Sequence, residues 1–259
     1  MVARAGHAGG ERDATAGRQT RASPPRFQWI RSYLRSSRRP EGAALAALPL
    51  LLIYGYGLLI ASPAARSGVD GVSSALLGLF GVRVYITVLG ALAATMLLAV
   101  GLRLRGRLGG HALLAAPMAL ESTLYGLFLG TVILDVMAWQ GLMGPLLVDA
   151  SFVEHVVMSA GAGLCEETVF RLLLLPGTAL LLTRGLAMPR PLAWALAIAA
   201  TSLAFAGAHH LGGEPWDRFA FIYRALAGVV FAALYLARGF GVAAWTHAVY
   251  DLYVLSGQT

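Results

Sequence analysis

Residues 165–171 read CEETVFR, preceded by GAGL and followed by LLLLP. Glu166, Glu167 and Arg171 stand together in a chain that otherwise avoids charge. Of its 259 residues, 58% are hydrophobic and 13% charged, and the mean hydropathy is +0.68. A soluble domain carries about 25% charged residues. The apolar runs around the triplet are continuous rather than alternating, which points to membrane-spanning helices and away from a β-barrel. The fold class that follows is all-α: a polytopic transmembrane bundle of seven or eight helices, forming one membrane domain.

Working outward from the triplet, apolar segments fall at about 144–165, 191–208, 219–237 and 240–256, and earlier at 42–62, 84–102 and 112–134. A shorter segment, 172–187, is interrupted by Pro176 and Gly177 and reads as a half-span or as a tilted continuation. Residues 1–40 hold nine of the 20 basic residues, all arginine. They read as a disordered basic leader with a short interfacial piece around FQWIRSYL. The membrane domain is 41–259. Arginine massed ahead of the first span places the N-terminus in the cytoplasm, with RLRGR (103–107) on the same side. Charge so distributed argues for anionic lipid and against nucleic acid as the partner. The 42–62 run exceeds the roughly 7–15 apolar residues of a signal peptide, so it reads as a retained anchor despite SPA at 62–64. The complete absence of lysine suggests a GC-rich genome, and with it a bacterial inner membrane.

A charged side chain at mid-bilayer costs at least about 2.5–3.5 kcal/mol, so each one needs a partner or a task. Glu154 and His155 fall within 144–165, His209 and His210 close the next long helix, and His247 and Asp251 lie in the last. Glu167 and Arg171 are four apart, stacked on one helix face and able to pair, while Glu166 projects about 100° away. Phe205 with His209, and His247 with Asp251, repeat the i, i+4 spacing. Each has a structural reading when taken singly. Glu167–Arg171 reads as an ion pair, His155 as a packing histidine and Glu121 as an interfacial or bundle-facing polar group. His209–His210 reads as interfacial beside GGEPWDR, and His247–Asp251 as a helix clasp or a proton-relay element. Jointly they are three helices, each presenting a polar element that a bundle can gather into one pocket. The single cysteine, Cys165, excludes a disulfide framework and reads as a small core residue rather than a nucleophile.

Order and spacing resemble the CAAX-protease and bacteriocin-processing (CPBP) family of intramembrane glutamic-type endopeptidases. Its pattern of EExxxR, then FxxxH, then HxxxN or HxxxD reads here as EETVFR (166–171), FAGAH (205–209) and HAVYD (247–251). The resemblance covers about 112–256, a protease-like core. It implies that Glu166 with His209 polarises the attacking water, and that His247 with Asp251 stabilises the oxyanion. Glu167 and Arg171 are then the supporting pair, and Phe205 packs one turn from the histidine. Two departures stand out. Asp251 replaces the asparagine of many relatives, and an ionised carboxylate only accepts hydrogen bonds. It either orients His247, is protonated by burial, or binds a metal. Leu172 stands where relatives have glycine, which speaks against close helix approach at that point.

The expected activity is hydrolysis of peptide bonds in membrane-anchored or C-terminally hydrophobic substrates. The expected cofactor is none, although Glu166, His209, His247 and Asp251 would suit zinc. The competing reading is a non-catalytic transporter, immunity or scaffold protein that uses the same charges.

Overall fold

The computed structural model describes residues 25–61, 71–103, 114–141, 151–211 and 216–257. Among these there is no strand, and the helices are α1 (Pro25–Ser37), α2 (Pro40–Ile60), α3 (Gly71–Arg103), α4 (Ala115–Trp139), α5, α6 (Arg190–Leu211), α7 (Arg218–Arg238) and α8 (Phe240–Gly257). The α5 rod joins Phe152–Glu167, a π-helical stretch Thr168–Leu174, the short α-helical Leu175–Leu180 and a second π stretch Leu181–Gly185. Windows in α2, α3, α4, α6 and α7 are long and apolar enough to cross a membrane. The chain is therefore a multi-pass membrane protein. Of the remaining three, α1 is short, and α5 and α8 carry Glu166, Glu167, Arg171 and His247 buried within the bundle.

Contacts between helices fix their directions. On α8, Trp245 Nε1 donates to the Ala46 carbonyl (2.5 Å), and the Val242 carbonyl accepts from Ser122 Oγ (3.3 Å). Further along, Thr131 Oγ1 donates to the Tyr253 hydroxyl (3.4 Å). Helices α2, α4 and α8 therefore run side by side in one direction, starting from the end that carries α1. The rod α5 runs against them and crosses α8 closely. A Cβ on Gly163 would stand 2.5 Å from the Ala244 carbonyl, so only glycine permits this approach. The turn from α7 into α8 is made by Gly239 at φ +90°, a left-handed conformation that glycine adopts without strain.

Three elements refine or differ from the sequence expectation. From Phe152 to Gly185 the chain is one rod, so of the two readings of 172–187 the continuation holds and the half-span does not. Pro176 removes a backbone donor, but the π turn ahead of it re-routes the ladder, with Leu175 N–H bonding to the Phe170 carbonyl five residues back. The third span begins earlier than residue 84. Helix α3 is bent at Gly81 (φ +74°) and takes the exposed Arg83 inside its apolar window, Leu77–Leu98. Finally, the last third of the basic leader is a helix docked on the bundle; residues 1–24 lie outside the described residues.

That docking is a buried polar clasp. Arg238 at the end of α7 holds Glu121 of α4 through two charge-assisted bonds, Nε to Oε1 (2.6 Å) and Nη2 to Oε2 (2.7 Å). The Tyr33 hydroxyl donates to the same carboxylate, and Arg238 Nη1 donates to Ser37 Oγ (3.1 Å). Glu121 is thus bundle-facing and structural, tying α1 to α4 and α7.

Candidate active site

The π stretch begins one residue after Glu167, so both glutamates end a regular α-helix while Arg171 rides on the wider turn. Arg171 Nη1 still reaches Glu167 Oε1 (3.2 Å), and its Nη2 donates to the Gly228 carbonyl of α7 (3.2 Å). Both partners are sealed from solvent, at 2% and 0% exposure. The guanidinium lies over the ring of Phe205, 4.3 Å from its centroid. Leu172, by contrast, is 43% exposed and turned away from the bundle. The close approach it seemed to forbid is made instead at Gly228, whose Cα faces Ser202 of α6.

Neighbouring carboxylates on a helix diverge, yet Glu166 and Glu167 meet again around one imidazole. His247 Nδ1 lies 2.8 Å from Glu167 Oε1. Its opposite edge, Nε2, lies 3.7 Å from Glu166 Oε2 and 3.5 Å from Asp251 Oδ2. Since a carboxylate accepts, Nδ1–H donates to Glu167, and Glu167 rather than Asp251 orients the ring. This corrects one role left open for Asp251: it shares the Nε2 edge with Glu166 instead of supporting the ring from behind.

The second imidazole comes from α6. His209 Nδ1 donates to the Phe205 carbonyl one turn back (2.9 Å), which leaves Nε2 aimed at Glu166 Oε1, 3.7 Å away. Glu166 is thus flanked by the Nε2 atoms of His209 and His247, one at each carboxylate oxygen. Phe205 sits at the hub, edge-on to Phe170, Phe231, His209 and His247 with centroids 5.0–6.5 Å apart.

The remaining polar groups lie elsewhere. Glu154 caps the start of α5, accepting from Ser151 N–H (2.9 Å) in a reciprocal capping box. His155 is buried in α5, and His210 packs between Trp216 and Phe221. Cys165 is half-buried, with Sγ 3.5 Å from the Tyr85 hydroxyl. Among the described residues no group of three or more His, Cys, Asp or Glu side chains is set to hold a metal ion as it stands.

Two site residues carry no polar signature. Phe231 stacks on the His247 ring, 4.4 Å between centroids and 13° between planes, holding it against Glu167. Gly228, one turn earlier on α7, supplies the Arg171 acceptor. Both lie in RALAGVVFAAL, where only the small-residue spacing hints at a buried face.

Residues 147–253 match the family model described as type II CAAX prenyl endopeptidase Rce1-like. The match takes in 107 of the 259 residues and supports the resemblance to the CPBP family. No curated protein and no solved structure matches the chain significantly. The Rce1-like segment opens just before α5 and closes within α8, so it takes in all four site helices and leaves α1–α4 outside. Glu166, Glu167, Arg171, Phe205, His209, His247 and Asp251 all fall inside it, as do the unheralded Gly228 and Phe231. The Glu121 half of the clasp does not.

Proposed function

We propose that this chain is an intramembrane endopeptidase in which Glu166 and His209 activate water for attack on a peptide bond. The observation that carries the reading is the position of the Glu166 carboxylate, 3.7 Å from Nε2 of both His209 and His247. Separations of that size are too long for direct hydrogen bonds, and a water seated beside each pair can reach both atoms at hydrogen-bond distance. A water donating to Glu166 Oε1 and to the His209 lone pair is polarised by two acceptors at once. It attacks the carbonyl carbon and yields its proton to Glu166. The oxyanion is met by the Nε2–H of a doubly protonated His247, whose Nδ1–H is already held by Glu167 and whose ring Phe231 keeps in place. Collapse breaks the C–N bond, and the proton on Glu166 passes to the leaving amine. The substrate is a membrane-anchored or C-terminally hydrophobic polypeptide, drawn from the lipid bilayer that surrounds the bundle.

Asp251 is the group that fits this scheme least well, because a carboxylate beside Nε2 competes with the oxyanion. Asp251→Asn replaces one acceptor oxygen with an N–H donor and is expected to keep or raise kcat. Asp251→Leu, which removes the carboxylate that favours the proton on His247 Nε2 and supplies no donor in its place, is expected to lower kcat. Equal losses in the two variants would show that the charge itself is needed and that the oxyanion assignment is wrong.

The route uses no metal. Elemental analysis of the purified protein should find far less than one zinc per chain. Stoichiometric zinc, removed together with activity by a chelator, would replace this route with a metal-bound one. The reading as a whole is tested by mapping membrane-protein termini in cells carrying the wild type or Glu166→Gln. New termini that depend on Glu166 support it. Identical terminal profiles, alongside proton or solute flux through the wild type, would favour the carrier reading.

A further inference from the structure

We propose that the site opens on the membrane face opposite α1 and that this face is extracytoplasmic, so that substrates present the scissile bond from outside the cytoplasm. Two unrelated observations lead there.

The first is a gradient of exposure. Helix α6 leaves the α1 end with Ala197 fully buried and passes Phe205 (3%) before reaching the His209 side chain at 24%. Helix α8 leaves the same end with Val242 fully buried and passes His247 (3%) before reaching the Asp251 side chain at 23%. Both helices run away from α1, so the polar site becomes accessible in one direction only. Toward α1 it is closed by the packed cluster of Leu175, Ala179, Ala197 and Ala232. A part-exposed carboxylate and imidazole belong in water rather than among acyl chains, because a charge left in lipid costs at least about 2.5–3.5 kcal/mol. The opening therefore leads to the aqueous face where α6 ends and α7 begins.

The second is charge. Among the described residues, the α1 end carries the exposed Arg31, Arg35, Arg38, Arg39, Arg184 and Arg190. The opposite end carries Asp135, Glu154 and Asp217 against Arg218. Loop arginine marks the cytoplasmic side, which puts α1 inside and the opening outside. For the endopeptidase reading, on which this last step rests, the substrate class becomes anchored proteins cleaved in a segment exposed beyond the outer leaflet.

The orientation is tested without any turnover. Single cysteines are placed at exposed positions of the two ends, Ser32→Cys on α1 and Trp216→Cys ahead of α7, in a Cys165→Ser chain. Wild type serves as the background for the half-buried Cys165, and Arg39→Cys and Arg218→Cys repeat the pair in case either variant misfolds. A membrane-impermeant maleimide added to intact cells of a bacterial expression host should label Trp216→Cys and not Ser32→Cys, with the order reversed in inverted vesicles. Labelling of the α1 positions in intact cells, of both ends equally, or of neither Trp216→Cys nor Arg218→Cys overturns the proposal. Because no cleavage is measured, an inactive protein with this labelling pattern would sink the endopeptidase reading alone. An active protein with the reverse pattern would sink only the orientation.

Discussion

Glu166→Gln is expected to lower kcat by about 10³–10⁴-fold while the protein remains folded and inserted. The substitution keeps the shape of the side chain and removes only the basic oxygen, and positioned general acid–base groups contribute up to about 10⁴-fold. Glu166 has no part in the ion pair that holds the helices together, since Arg171 and His247 Nδ1 both bind Glu167. Thermal unfolding in detergent should therefore shift little. A variant that retained wild-type turnover would remove Glu166 from the reaction. One that unfolded would show that the carboxylate is a structural partner instead.

The second large effect concerns stability. Arg171→Met should destabilise the bundle by about 3–5 kcal/mol, because it leaves Glu167 buried without its cation. Adding Glu167→Gln to that variant removes the stranded charge and should recover most of the loss. Activity should not return with it: His247 would face an amide in place of the anchor that fixes its Nδ1 proton, and the ring would no longer be held toward Glu166. A double variant as unstable as Arg171→Met would mean that the guanidinium acts through Phe205 and the Gly228 carbonyl more than through Glu167. A stable and active double variant would strip Glu167 of the orienting role.

The three motif helices and their membrane setting were legible in the sequence because each motif is local. A spacing of four residues puts two side chains on one face whatever surrounds them. Distant pairings were not legible. Nothing in the spacing of His247 and Asp251 shows that Glu167, 80 residues earlier, takes the Nδ1 edge of the ring. Nor does Glu121 reveal Arg238, 117 residues on. The sequence left 172–187 open between half-span and continuation because Pro176 normally interrupts a helix, and a π turn that absorbs it leaves no compositional trace. Helix α1 was legible only as the short interfacial piece around FQWIRSYL, its ends obscured by the arginine and serine that flank it. Phe231 lies among many apolar residues on α7, and only the stacked His247 ring distinguishes it.

Whether groups from separate helices perform one task is tested most directly by a double-mutant cycle on kcat, with purified protein in liposomes and a cleavable peptide substrate. Residues that act as a unit lose most of their effect with the first removal. If Glu166 and His209 together polarise one water, Glu166→Gln/His209→Ala should be scarcely slower than Glu166→Gln alone. Losses that multiply across the two sites would mean that the carboxylate and the imidazole work independently, and that no water is held between them.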